Sequence, residues 1–264
     1  MTGRPGISRL VQALQQAAFV IAVVALWQSA TVVFAIPAVV FPAPLAIAAR
    51  LVGLTASGEI WPHFLATLTS ILSGFGIGVA AGIVAGAVVA LAPALERLVY
   101  PWLVALQSVP KIAIAPLFVL WFGYGLMSKV VITALVCFFP VLVSVIAGFG
   151  ATDRDQLEMM RSFGASRWQT LVRLRIPAAL VLIFAGIEIA AVLAVIGAVV
   201  GEFVGAQEGL GYLITALNFS LDVPGVFAVL MFLSAIGICL HAAVRIVSRR
   251  LVFWIHRDPG PMVG

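Results

Sequence analysis

From Phe64 to Leu91 the chain carries no charged residue, and that run alone excludes most folds. Inside hydrocarbon there is no water to satisfy backbone N–H and C=O groups, so each must find its partner within the segment, as a helix provides. About 20 apolar residues are enough for a helix to cross. Five further apolar runs recur, near residues 17–36, 98–122, 130–149, 178–204 and 224–247. Of the 264 residues, 63% are hydrophobic and 9% charged, where a soluble domain carries roughly 25% charged residues. The mean hydropathy of +1.20 agrees. These features describe an all-α polytopic membrane protein, residues 1–264 forming one transmembrane domain with about six transmembrane helices.

Within the 64–91 run, Gly74, Gly78, Gly82 and Gly86 recur every fourth residue. That spacing lines them along one helix face, where a neighbouring backbone can approach and gain van der Waals contact that lipid does not give. They are read as a packing seam.

The net charge of +5 and isoelectric point near 9.9 would suit a nucleic-acid partner, but no basic face with stacking aromatics accompanies them. The basic residues lie instead in the short segments between runs. An even number of spans puts both termini on one side, and that side receives Arg4, Arg9, Arg97, Arg154, Arg161, Arg167, Arg173, Arg175, Arg245, Arg249, Arg250 and Arg257. The other side receives Arg50 and Lys129, with Lys111 inside a span. Twelve against two sets the orientation by the positive-inside rule. The termini and the 153–177 loop are therefore expected in the cytoplasm, with the first run an uncleaved span. Cys137 and Cys239 lie within apolar runs and are read as small buried side chains. His63, His241 and His256 are scattered, and no metal site is proposed.

The 98–122 run is broken by Gln107, Ser108, Pro110, Lys111 and Pro116. A lysine near mid-span costs about 2.5 to 3.5 kcal/mol unless it finds water or a partner, and broken helices are tolerated where they line a cavity or are buried in protein. Glu188, a third of the way along the 178–204 run, is the candidate partner for Lys111. Gln107, Lys111, Phe138, Phe139 and Glu188 are the candidate translocation-path residues. Glu188 at a protein interface is the alternative reading.

Between the fourth and fifth runs lies a long polar interruption, Asp153 to Pro177. Thr152 and Asp155 resemble a capping box, and Leu157, Met160 and Phe163 recur at helical spacing. Gly164 interrupts this first short helix. Ser166 can cap a second, carrying Trp168, Leu171, Val172 and Ile176 as its apolar stripe, before Pro177 opens the next element.

Glu158, Gly164 six residues later, then Leu174, Ile176 and Pro177 resemble the cytoplasmic loop of bacterial ATP-binding-cassette importer permeases. That family's loop reads Glu-Ala-Ala, three residues, Gly, and later Ile-x-Leu-Pro. Met159 and Met160 stand where the alanines usually are, and Ile176 replaces the leucine. The run Gln107 to Gly125 is similar to the family in Pro110, Lys111, Pro116, Leu117, Trp121, Phe122 and Gly123. Phe41 to Pro44 and the Gly-Leu-Gly of Gly209 to Gly211 resemble its nitrate, sulfonate and taurine branch. The resemblance covers Phe41 to about Asp222. It implies a homodimer of permease subunits in the bacterial inner membrane, two cytoplasmic ATPase subunits holding ATP and Mg, and a periplasmic binding protein that delivers the solute. It implies that Glu158, Met159, Met160, Arg161, Ser162, Phe163, Gly164, Ala165 and Pro177 form the coupling element that docks on the ATPase.

The residues exclude an ATPase in this chain. Lys111 and Lys129 are its only lysines, and neither ends a G-x-x-x-x-G-K loop. No nucleophile elbow or paired carboxylates in a polar setting point to an enzyme. An ion-coupled secondary transporter or a non-transporting assembly subunit would share the broken span or the glycine seam, and both stay open at this point.

Overall fold

The computed structural model describes residues 5–254. Arg4, His256 and Arg257 lie outside them, as does the side chain of Arg9. The described chain is helical throughout, without strands. In order it forms α1 (Pro5–Val33), α2 (Pro44–Ala56), α3 (Ile60–Leu91), α4 (Pro93–Gln107), a 3₁₀ turn (Lys111–Ile114), α5 (Ala115–Phe122) and α6 (Leu126–Gly150). There follow α7 (Arg154–Ser162), α8 (Arg167–Thr170), a π-helical segment (Leu171–Arg175), α9 (Ile176–Gly205), α10 (Leu210–Phe219) and α11 (Val223–Leu251). Leu14–Val33, Ile60–Leu91, Leu126–Gly150, Arg167–Gly205 and Val223–Leu251 are long and apolar enough to cross a membrane. The bent pair Pro93–Gln107 and Lys111–Phe122, which turn by 79° at the break, makes a sixth if counted as one broken span. Ser108, Val109 and Pro110 fall in that break, as the sequence anticipates.

The chain divides into two compact units. One comprises the residues up to Trp61 together with Leu213–Phe232. Here Trp27 and Phe41 meet at 5.2 Å and Phe227 stands edge-on to Phe41. The Arg50 guanidinium of α2 pairs with Asp222 at 2.5 Å, and the same carboxylate accepts the Gly225 N–H at the start of α11. α1 is exposed along almost all its length, an apolar surface suited to lipid or another chain.

The other unit, Pro62–Tyr212 with the chain from Leu233 onward, is built around α6. Its two sides are approached by glycines. On one side α3 runs parallel to it: a side-chain carbon on Gly78 would stand 2.8 Å from the Cβ of Cys137, one on Gly82 2.9 Å from that of Val141, and one on Gly86 2.7 Å from that of Val145. Gly74 meets Thr133 more closely still. On the other side α9 runs antiparallel, with Gly186 against Pro140 and Ser144, Gly197 against Thr133 and Gly201 against Lys129. Cys137 is fully buried between them and donates its S–H to the Ala190 carbonyl at 3.4 Å. Cys239 is exposed, contrary to expectation, because an apolar run facing lipid need not be buried.

One expectation at the polar loop changes and another gains a detail. Asp153, not Thr152, caps α7, accepting the Asp155 N–H at 3.1 Å, while the Thr152 hydroxyl reaches back to Phe149. Pro177 stands in the first turn of α9, as expected, but no break precedes it, since Arg167–Gly205 is one continuous helical stretch. A proline in a helix lacks its N–H and clashes with the carbonyl four residues earlier, here that of Arg173. The chain answers with a wider turn just before the ring, the Ile176 N–H bonding Leu171 five residues back.

The glycine seam supplies a direct comparison. Gly78→Leu is expected to lower thermal stability in detergent by about 1 to 3 kcal/mol through overpacking. Gly76→Ala, where an added carbon meets nothing within 4 Å, should leave the melting temperature unchanged.

Candidate coupling and translocation sites

The polar loop is a closed, hydrogen-bonded corner. At the end of α7, Ala165 donates to the Met160 carbonyl at 3.0 Å and Gly164 to that of Arg161 at 2.9 Å. This is a Schellman closure, which requires a left-handed residue, and Gly164 has φ +70°. Two residues later a reciprocal capping box starts α8, the Ser166 hydroxyl accepting the Gln169 N–H at 3.2 Å and the Gln169 side chain accepting the Ser166 N–H at 2.8 Å. Glu158, Met159, Arg161, Ser162, Phe163 and Gly164 are exposed, whereas Met160 and Ala165 are half-buried. One of the two methionines that replace alanines therefore turns inward. Phe163 is 80% exposed, so it leaves the apolar stripe on which its spacing placed it and projects from the corner. Trp168 and Val172 are exposed as well, while Leu171 and Ile176 are half-buried. Pro177 lies away from the corner, within the continuous helix.

At the break in the third span, four of the five path candidates come together. The Lys111 ammonium donates to the Gln107 carbonyl at 3.1 Å and sits 4.7 Å from the centre of the Phe139 ring. Phe138 meets Phe139 edge-on at 5.2 Å. The carbonyl freed by the break and the aromatic face together compensate the ammonium. Glu188 is not part of this group. It lines a separate cavity of about 480 Å³ with Ser248 and Arg249, and no ion pair joins it to Lys111 among the described residues.

A third polar cluster was not singled out by the sequence. At the ends of α3, α6 and α9 the Glu202 carboxylate is 2% exposed. It accepts the Thr67 hydroxyl at 2.8 Å through one oxygen and the Gly211 N–H at 2.6 Å through the other. Thr67 in turn accepts the Leu210 N–H at 2.7 Å, and His63 accepts the Gly209 N–H at 3.1 Å. Lys129, equally buried, attracts Glu202 and donates to the Glu208 carbonyl at 3.0 Å. Gly209, at φ +126°, leaves no room for a side chain against the carboxylate. The available signal was a carboxylate closing an apolar run, followed within nine residues by Gly-Leu-Gly, whose bare N–H groups suit an anion.

Residues 78–253 match the family model for the binding-protein-dependent transport system inner membrane component. The chain belongs to this family of importer permeases. The permease is 38% identical over 248 residues to the formylaminopyrimidine transport permease protein ThiX of Halalkalibacterium halodurans, covering 94% of this chain and 98% of that one. It is 37% identical to the riboflavin transport system permease protein RibX of Chloroflexus aurantiacus, over 86% of this chain and 85% of the relative. To the putative aliphatic sulfonates transport permease protein SsuC of Bacillus subtilis it is 31% identical, over 88% and 84%. Its fold is also that of the inward-facing MetNI methionine ABC transporter, at TM-score 0.57 and 21% identity over 73% of this chain and 94% of that chain. Family membership sets the ion-coupled and non-transporting readings aside. The permease is a transport subunit of an ATP-binding-cassette importer.

Truncating Glu202 removes the acceptor of the Thr67 hydroxyl and of the Gly211 N–H. Glu202→Ala is expected to cost about 1 to 3 kcal/mol, the scale for leaving a buried hydrogen-bonding group without its partner. Glu188→Ala, half-buried beside a cavity, should shift the melting temperature far less. Equal shifts in thermal unfolding of the purified permease would contradict this ranking.

Proposed function

We propose that two copies of this permease form the membrane path of an importer and that each couples to a separate ATPase through the Asp153 to Pro177 loop. The carrying observation is the construction of that loop. A Schellman corner and a capping box hold it stiff, Met159 and Phe163 stand out from it, and one unbroken helical stretch, Arg167–Gly205, joins it to the bundle. A stiff projection on a continuous rod can pass a rigid-body displacement from a cytoplasmic partner into the spans. ATP and Mg belong to that partner, and this chain carries no hydrolytic site of its own.

In this reading the termini and the loop face the cytoplasm of a bacterial inner membrane, an orientation that the arginine count supports. A periplasmic binding protein delivers a small solute at the opposite face. Relatives are named for a formylaminopyrimidine, for riboflavin and for aliphatic sulfonates, so selection falls mainly to the binding protein. Lys111, Gln107, Phe138 and Phe139 line the path at the broken span. Glu158, Met159, Arg161, Ser162, Phe163 and Gly164 meet the ATPase, Met160 and Ala165 support them from behind, and Pro177 lies in the helix that joins them to the bundle.

The corner glycine tests this coupling. A side chain at Gly164 meets nothing within 4 Å, so substitution acts through the left-handed backbone alone, at about 1 to 2 kcal/mol. Gly164→Leu should abolish ATP-driven uptake in proteoliposomes of the assembled importer while the protein still reaches the membrane. Gly164→Asn, a residue that tolerates this conformation, should retain much of it. Undiminished uptake by the leucine variant would overturn the coupling role.

A further inference from the structure

Beside the coupling corner lies an open cavity of about 840 Å³ into which three arginines, Arg161, Arg167 and Arg175, face. Leu157, Trp168 and Leu171 supply apolar wall. No aspartate or glutamate lines it, although Asp153, Asp155 and Glu158 are in the same loop. Among the described residues none of the three guanidiniums has a hydrogen bond or an ion pair. Arg161 and Arg167 are exposed and Arg175 half-buried, so an anion entering the cavity could accept charge-assisted hydrogen bonds from guanidiniums that are not already engaged.

The depth of the cavity identifies the anion. Its lining includes Leu91, the last residue of α3, Pro93, the first of α4, and Arg175, directly before α9. It therefore sits where the apolar spans end, at the level of lipid headgroups. Trp168 is 70% exposed there, and an indole with an apolar body and one N–H donor suits that boundary. The projecting Met159 and Phe163 do not line the cavity, so it adjoins the surface offered to the ATPase through Arg161 alone among the residues that meet that partner. Guanidinium forks match phosphate oxygens two at a time, and basic pockets beside span ends suit anionic headgroups.

We propose that this cavity binds the phosphate of an anionic phospholipid, such as phosphatidylglycerol, whose acyl chains run beside the adjoining span ends. A lipid held there would brace the base of the coupling loop against the bilayer.

The test is native mass spectrometry of the intact importer, released in mild detergent from membranes containing phosphatidylglycerol and phosphatidylethanolamine. The wild-type complex should retain phosphatidylglycerol. Arg167→Gln with Arg175→Gln should reduce that retention about ten-fold or more and leave phosphatidylethanolamine adducts unchanged. The Arg167→Lys, Arg175→Lys pair preserves charge and should keep a large part of the binding, which separates loss of the site from misfolding. Millimolar inorganic phosphate should not displace the lipid. Equal phosphatidylglycerol retention in the glutamine pair would overturn the proposal, as would displacement by inorganic phosphate. Loss of the ATPase subunit at unchanged lipid retention would also overturn it, because the cavity would then belong to an acidic protein surface. Retention is read without transport, so this outcome is independent of the coupling experiment.

Discussion

Everything in the larger unit depends on how closely backbones can approach α6. Two helices in lipid gain nothing from burying apolar surface against each other, so their association rests on van der Waals contact and a few hydrogen bonds. Glycine increases that contact by removing the side chain that would hold the helices apart. The α3 ladder uses Gly74, Gly78, Gly82 and Gly86 against Thr133, Cys137, Val141 and Val145, four steps along one parallel seam. Gly186, Gly197 and Gly201 do the same for α9 against the opposite side of α6. With both neighbours fixed against one central helix, their far ends are brought close enough for Thr67, Lys129 and Glu202 to share a polar network.

That arrangement gives α9 its mechanical character. Its helical stretch begins at the capping box of Ser166, passes Pro177 through a widened turn rather than a break, and ends at the carboxylate of Glu202. A proline that severed the helix would let the loop move without the bundle. Here the widened turn relieves the ring clash while the chain stays helical, so the loop and the Glu202 cluster are the two ends of one element. The third span has the opposite design: Ser108 to Pro110 interrupt it outright, and the interruption is where Lys111 finds a free carbonyl and an aromatic face.

Periodic features were legible in the sequence, and features set by rotation about a helix were not. The four-residue glycine spacing located the seam because period and helix face are the same information. The Gly164 corner was legible because few residues adopt a left-handed backbone. The pairing of Lys111 with Glu188 failed because depth along a span says nothing about which way a side chain points. Phe163 and Cys239 were misplaced for a related reason: at a projecting corner and against lipid, exposure is compatible with apolar character. Pro177 was legible as a first-turn proline of α9, but only the geometry of residues 171–175 shows that helical chain runs into it without a break. Glu202 was not singled out because its partners, Thr67 and Gly211, lie in segments read separately.

The central claim is that the corner around Phe163 is the contact with the motor of the importer. A photo-crosslinking amino acid placed at Phe163 in native membranes tests it directly, with one at exposed Gln207, near the opposite end of α9, as the comparison. The account requires an adduct between the Phe163 position and a cytoplasmic ATPase subunit, and none with that subunit from Gln207. Adducts from Phe163 confined to lipid or to a second permease copy, or an ATPase adduct formed equally from Gln207, would contradict it.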